Sequence, residues 1–211
     1  MEIKISIVSD LDQIALCHKA AFPDSLSSKL GSKFRKKMLS WYILDERGVL
    51  FHVKENNEVV GYCGGVITKL PGLPGAASSI TQFSFNLFIR SFLLRPWLIV
   101  HPENINRISF FIKNVLVKLK VKKAVSLAQS KQENFQTFWG LVVIGVLPKF
   151  HGKGFGSVLL QEFERLARLD KVDKISLSVK SDNIKAMNSY IANGWQINNT
   201  NIDSLNLIKK L

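Results

Sequence analysis

Three glycines alternate through His151-Gly152-Lys153-Gly154-Phe155-Gly156, and Ser157 follows. The cluster lies between an apolar run, WGLVVIGV (139–146), and a segment whose Leu159, Leu160, Phe163, Leu166 and Ala167 recur at helical spacing. The first N–H groups of a helix have no partner within it and, together with the helix dipole, they favour an anion. Glycines would keep side chains away from those groups, while Ser157 and Lys153 could add donors. A plain tight turn would use the same glycines. The run is not a P-loop, which needs GxxxxGK followed by Ser or Thr. It also misses the dinucleotide fingerprint GxGxxG, because its third glycine falls one residue early.

The rest of the chain supplies a frame for that loop. EIKISIV (2–8) alternates as a strand, and LDQIALCHKAAF after Ser9-Asp10 has helical spacing. A second helix is expected over 28–44, its start delayed by Gly31. Residues 50–56 and 59–67, joined through Asn56-Asn57, read as a β-hairpin, and Gly64-Gly65 marks a bulge or a close backbone approach. TKLPGLPGAASS reads as turns, followed by helices near 82–95 and 103–119; 126–138 has no firm period. Run 139–146 suits a central strand, 173–179 an alternating strand, and Asn183 opens a helix closed by Gly194. Short strands are expected near 195–198 and 204–208. The length fits one domain of α/β class, 1–211.

With these residues in order, 139–195 resembles the acyl-CoA-binding core of the GNAT N-acetyltransferase superfamily. That family's signature is Gln or Arg, two residues, Gly, one residue, Gly or Ala, after a strand ending Val-x-Pro. Here it reads Val146-Leu147-Pro148 and then His151 to Gly156, with His151 in the Arg or Gln position. A second set matches downstream: Val179, Asn183, Ala186, Tyr190 and Gly194-Trp195. The resemblance implies an α/β fold with a mixed central sheet and flanking helices, carrying here a largely helical insertion near residues 69–138. It further implies acetyl-CoA as acyl-donor cosubstrate. Its pyrophosphate would lie on His151, Gly152, Lys153, Gly154, Phe155, Gly156 and Ser157, and its pantetheine arm along Val146 and near Asn183. Tyr190 would protonate the departing thiolate, a role suited to an uncharged phenol donor; by spacing alone Tyr190 is an ordinary core aromatic. A primary amine of a small molecule would attack the thioester directly, with backbone N–H near Val146 polarising the carbonyl. WGLVVIGV holds no carboxylate or histidine to act as base. His101, Glu103 and Glu133 are the alternatives, each read first as solvated surface.

Composition bounds the partners. The balance is basic, 29 Lys and Arg against 16 Asp and Glu, a formal +13, which suits anionic partners. A cationic polyamine is disfavoured as acceptor; an amine bearing phosphate or carboxylate, or one presented at a membrane surface, is favoured. A nucleic-acid role has charge but no zinc spacing, RNP-like motif or clear helix-turn-helix behind it, and KFRKK (33–37) reads as a solvated helix face. A catalytically silent acyl-CoA-binding module is the second rival. Cys17 and Cys63 are read as plain buried residues and no metal site is expected. FSFNLFIRSFLLRPWLIV (83–100) is apolar, but Arg90, Arg95 and Pro96 interrupt it, so it reads as an interfacial or substrate-covering segment, as helical packing, or as a homodimer contact rather than a span. The N-terminus lacks a signal layout, and a cytoplasmic setting is expected.

Overall fold

The structure is a computed structural model describing residues 1–69, 75–102 and 137–211. The helix expected near 103–119, most of the stretch 126–138, and the candidates Glu103 and Glu133 lie outside the described residues.

Chain order is β1 (Glu2–Ile5), α1 (Leu11–Ala21), α2 (Leu26–Lys29), α3 (Ser32–Leu44), β2 (Gly48–Glu55), β3 (Glu58–Thr68), α4 (Ala76–Phe83), α5 (Phe85–Leu94) and a 3-10 turn, Pro96–Val100. There follow β4 (Phe138–Val146), a 3-10 turn (Pro148–Phe150), α6 (Phe155–Leu169), β5 (Lys174–Lys180), α7 (Ile184–Ala192), β6 (Gln196–Thr200) and β7 (Ser204–Lys210). The strands form one sheet in the order β1-β2-β3-β4-β5-β7-β6. Only β4 and β5 pair in parallel among the described strands. The mixed sheet with flanking helices is therefore as the resemblance implies.

Two opposite sheet faces carry the core. On one, Leu159, Leu160 and Phe163 of α6 pack with Phe51, Val53, Cys63, Leu141 and Ile175. On the other, Ile14 of α1 and Leu39, Trp41 and Tyr42 of α3 pack with Leu50 and Tyr62. Neighbours Tyr62 and Cys63 go to opposite faces, as the strand period of two requires. A third cluster, Leu26, Leu30, Phe34, Phe88 and Leu98, fixes α5 and the turn after it against α2 and α3.

Local expectations hold with instructive shifts. Asn56 and Asn57 have φ of 48° and 63°, the positive pair that a two-residue hairpin turn needs. Gly31, at φ 102°, separates α2 from α3. β1 stops at Ile5, because Val8–Asp10 turns into a 3-10 helix with the Asp10 carboxylate accepting from Ile7 N–H at 3.0 Å. The stretch read as turns up to Ser79 is helical from Ala76: Gly75 is the N-cap, and the alanines carry the helix on. The helix expected near 82–95 is α5, and α4 precedes it; Ser84 stands between the two, its N–H and its Oγ both donating to Ile80 O.

Candidate functional site

β4 and β5 are hydrogen-bonded neighbours only at Trp139–Ile175, Gly140–Ser176 and Leu141–Leu177. Both strands run on, β4 to Val146 beside β3 and β5 to Lys180 beside β7. They part because β4 bulges: Gly65 faces Leu141 and Gly64 faces Val143, so Val142 is extra and bends its strand just after the last β5 pair. Gly64-Gly65 signalled this bulge, although the inserted residue sits on the partner strand. Leu147 N–H donates to Val60 O at 2.8 Å, toward β3, so alternation turns the N–H and C=O of Val146 into the wedge.

The glycine loop stands at the mouth of that wedge. Gly152 and Gly154 have φ of 76° and 85°, and Gly154 is the N-cap of α6. The first helical bond runs from Val158 N–H to Gly154 O, so the N–H groups of Phe155, Gly156 and Ser157 precede the ladder. No acidic side chain occupies that first turn. Gly156 differs from its neighbours. Its φ is not positive, and a Cβ there would meet nothing within 4 Å. Neither conformation nor packing demands glycine at 156, whereas a ligand brought close to these N–H groups does.

His151 has a structural task. Its Nε2–H donates to Val146 O at 2.9 Å, since a carbonyl can only accept, and its Nδ1 faces Lys185 Nζ at 3.4 Å. The ring thus ties the end of β4 to the start of α7 and brings Lys185 to the loop, a residue the sequence reading passed over. Lys153 is exposed, with its ammonium 5.1 Å from the Phe150 ring centroid. Lys149 is taken up by Glu58 at 2.7 Å. Asn183 caps α7, its Oδ1 accepting from Ala186 N–H at 3.2 Å, which leaves the amide NH2 as the group it can offer a ligand.

Tyr190 is buried on α7 in the same cluster as Cys63 and Trp195. Its hydroxyl makes no hydrogen bond to another described residue. Burial, reinforced by Cys63, pushes the phenol up to about 12, so it keeps its proton at neutral pH. Both cysteines are free and buried. Burial raises the Cys17 thiol to about 12 and the Cys63 thiol well above its ordinary value, so neither is a thiolate nucleophile at neutral pH.

The imidazole in this region is one that sequence reasoning treated only as a helix position. His18 of α1 is buried, with Nδ1 2.5 Å from Tyr62 Oη and Nε2 2.7 Å from Ser27 Oγ. The proton direction can be worked back from the end of the chain. Ser25 Oγ donates to Phe22 O, Ser27 then donates to Ser25, His18 Nε2–H donates to Ser27, and Tyr62 O–H donates to Nδ1. Burial, with Arg35 adding to it, lowers His18 to about 4, which keeps the ring neutral. Tyr62 sits opposite Gly145 of β4, where a Cβ would come within 2.7 Å of its ring. No sequence pattern announces this relay, because it joins residues 44 apart. His101, offered as a base, instead has Nε2 3.1 Å from Asp24 O.

A parted parallel strand pair, with an unencumbered helix N-terminus beside it, leaves room for an extended ligand that carries an anionic group. The model of the acetyltransferase (GNAT) family matches residues 90–195, half of the chain. The chain belongs to the GNAT family. Solved structures share the fold across nearly the whole chain. The PaiA N-acetyltransferase of Thermoplasma acidophilum in complex with coenzyme A is 11% identical with a TM-score of 0.56, covering 100% of this chain and 98% of that one. The ribosomal-protein-alanine N-acetyltransferase of Brucella melitensis is 14% identical, TM-score 0.57, with full coverage of both chains. The aminoglycoside 6'-N-acetyltransferase of Acinetobacter haemolyticus is 10% identical, TM-score 0.57, covering 96% of this chain and 95% of that one. No curated protein matches the sequence. This GNAT chain thus shares a backbone architecture with enzymes whose named acceptors differ widely, and its own acceptor must be argued from its own residues. No helix among its described residues is long and apolar enough to cross a membrane, and those residues hold no cluster suited to a metal ion.

Proposed function

We propose that the protein transfers the acetyl group of acetyl-CoA to a primary amine of a small molecule. The observation that carries this reading is the wedge between β4 and β5, with the bare N-terminus of α6 at its mouth and Tyr190 buried on the adjoining helix. Pyrophosphate would be held by the N–H groups of Phe155, Gly156 and Ser157, with Gly152 and Gly154 shaping the loop and Lys153 and Lys185 adding positive charge. Val146 N–H would pair with the pantetheine arm or polarise the thioester carbonyl. Asn183 would meet that arm through its amide NH2.

The amine nitrogen attacks the carbonyl carbon, an N–C bond forms and the oxyanion collapses, breaking C–S. One proton leaves nitrogen and one reaches sulfur, directly or through solvent. The Tyr190 phenol, at about 12, is a weaker acid than an ordinary thiol at roughly 8.5, so it stabilises the departing sulfur chiefly as a hydrogen-bond donor. Buried, protonated cysteines fit direct attack without an acyl-enzyme. Because β4 carries no carboxylate, the amine would arrive neutral or lose its proton to water.

The acceptor would carry phosphate or carboxylate. Between Glu58 and Glu133 the sequence holds one carboxylate, Glu103, against ten Lys and Arg. Thiol release from acetyl-CoA over free and nucleotide-linked amino sugars, amino acids, peptides, aminoglycosides and polyamines tests this. Release with anionic amines and none with polyamines supports the assignment, and the reverse order removes it. A silent acyl-CoA-binding module is the second reading, favoured by the missing strand carboxylate; it predicts CoA binding with no release from any amine.

A further inference from the structure

The segment Phe85–Val100 is apolar on two sides. Phe88 and Leu98 face inward, buried against Leu26, Leu30 and Phe34. Leu93, Leu94, Trp97, Ile99 and Val100 face outward, each between 60% and 78% exposed. Leu93 and Leu94 close α5, and Trp97, Ile99 and Val100 lie in the 3-10 turn after it; five large apolar residues within eight positions exceed the scattered exposure of an ordinary surface. The segment is anchored as a unit: the Arg95 guanidinium donates to Leu30 O at 2.9 Å. The outward face is therefore held in place by the same contacts that bury the inward one.

Charge decides among occupants. From Val59 to Pro102 the sequence has no Asp or Glu, and exposed Arg90 lies on α5 itself. Lys33 borders Gly31, whose Cα faces the Arg95 guanidinium, while Lys29 on the other side is paired with Asp24 at 3.0 Å. An apolar face with a basic margin and a tryptophan is the composition that settles into an interface of acyl chains and anionic headgroups. A second copy of this chain would bring like charge to like. We infer that the outward face of Phe85–Val100, led by Leu93, Leu94 and Trp97, docks the protein on an anionic lipid bilayer.

Trp97 provides its own readout, since Trp41, Trp139 and Trp195 are all buried. The full chain is mixed with phosphatidylcholine vesicles, and separately with vesicles containing phosphatidylglycerol, followed by co-sedimentation and iodide quenching of tryptophan fluorescence. The expected result is quenching in lipid-free protein, loss of quenching and a blue shift with anionic vesicles, and release at high salt. Leu93→Ser with Trp97→Ser should weaken sedimentation about tenfold or more. Leu94→Gln, with Trp97 retained, should also weaken binding and reduce the blue shift, and both variants should keep the wild-type melting temperature and acetyl-CoA affinity. Failure to bind anionic vesicles, or binding unchanged in both variants, would overturn the inference. So would Trp97 already shielded from iodide without lipid, which would assign the face to another part of the chain or, if concentration-dependent, to a second copy.

Discussion

Tyr190 and Trp195 are joined twice: Trp195 N–H donates to Tyr190 O at 3.1 Å, and their ring centroids lie 6.1 Å apart. With Gly194 N–H donating to Ile191 O at 2.9 Å, and Gly194 at φ 82°, this is a Schellman cap on α7 with its accompanying apolar contact. The glycine-aromatic pair after the helix thus has a physical reason. It closes α7 and clamps the backbone of the tyrosine proposed to meet the departing sulfur. Lys209 strengthens the clamp, donating to Asn193 O and to the Glu164 carboxylate, both at 2.7 Å.

Replacing Tyr190 by Phe removes a hydroxyl that bonds to no other described residue, so the fold should lose less than about 0.5 kcal/mol. Loss of a donor to the departing sulfur should instead lower kcat about 100-fold. Steady-state kinetics with acetyl-CoA titration of both proteins checks this. A core-only role for Tyr190 predicts unchanged kcat.

Gly156→Leu separates a ligand cradle from a simple turn. Its φ is ordinary and the space beyond its Cα is open, so thermal stability should hold within about 1 kcal/mol. A leucine side chain over the first N–H groups of α6 should weaken acetyl-CoA binding about tenfold or more by blocking the phosphates. Calorimetric titration of the two proteins decides it; equal affinities would return the loop to the role of a turn.

His18 makes the fold sensitive to acid. Its folded value lies near 4, below the unfolded 6.5, so the unfolded chain takes up the proton first. The stability it supports is complete above about pH 6.5 and is lost as pH falls from there through 4, by about 3 kcal/mol in all. His52, also lowered by burial, acts in the same direction. Denaturant melts between pH 7.5 and 4.5 should show this slope, and His18→Gln, which cannot take up the proton, should flatten it.

Gly65 is required by packing. A Cβ there would run into the Phe163 ring and lie 3.0 Å from Gly140 O, with backbone on one side and a fully buried ring on the other. Gly65→Ala should cost about 1–3 kcal/mol. Pairing it with Phe163→Leu should recover part of that loss, as a double-mutant cycle on chemical denaturation would show.

The sequence carried most of the architecture because its signals are local. Asn56-Asn57 needs positive φ, Gly194 needs a left-handed cap, and alternation in 174–180 needs only a half-buried strand. The glycine loop before α6 was legible for the same reason, since Gly152 and Gly154 both take positive φ. What escaped is long-range: the approach of Lys185 to His151, the relay through His18 and Tyr62, and the placing of the bulge residue Val142 opposite the glycines that signalled it. The break at Ser84 escaped because the helical period runs on across it and only the Ser84 backbone, at φ −101° and ψ 10°, marks the junction.

The central claim is tested most directly by following thiol release from acetyl-CoA with and without an amine bearing phosphate or carboxylate. Amine-dependent release is expected, one thiol for each acetylated amine recovered by mass spectrometry. No release with any such amine, from folded protein, would contradict the transferase reading.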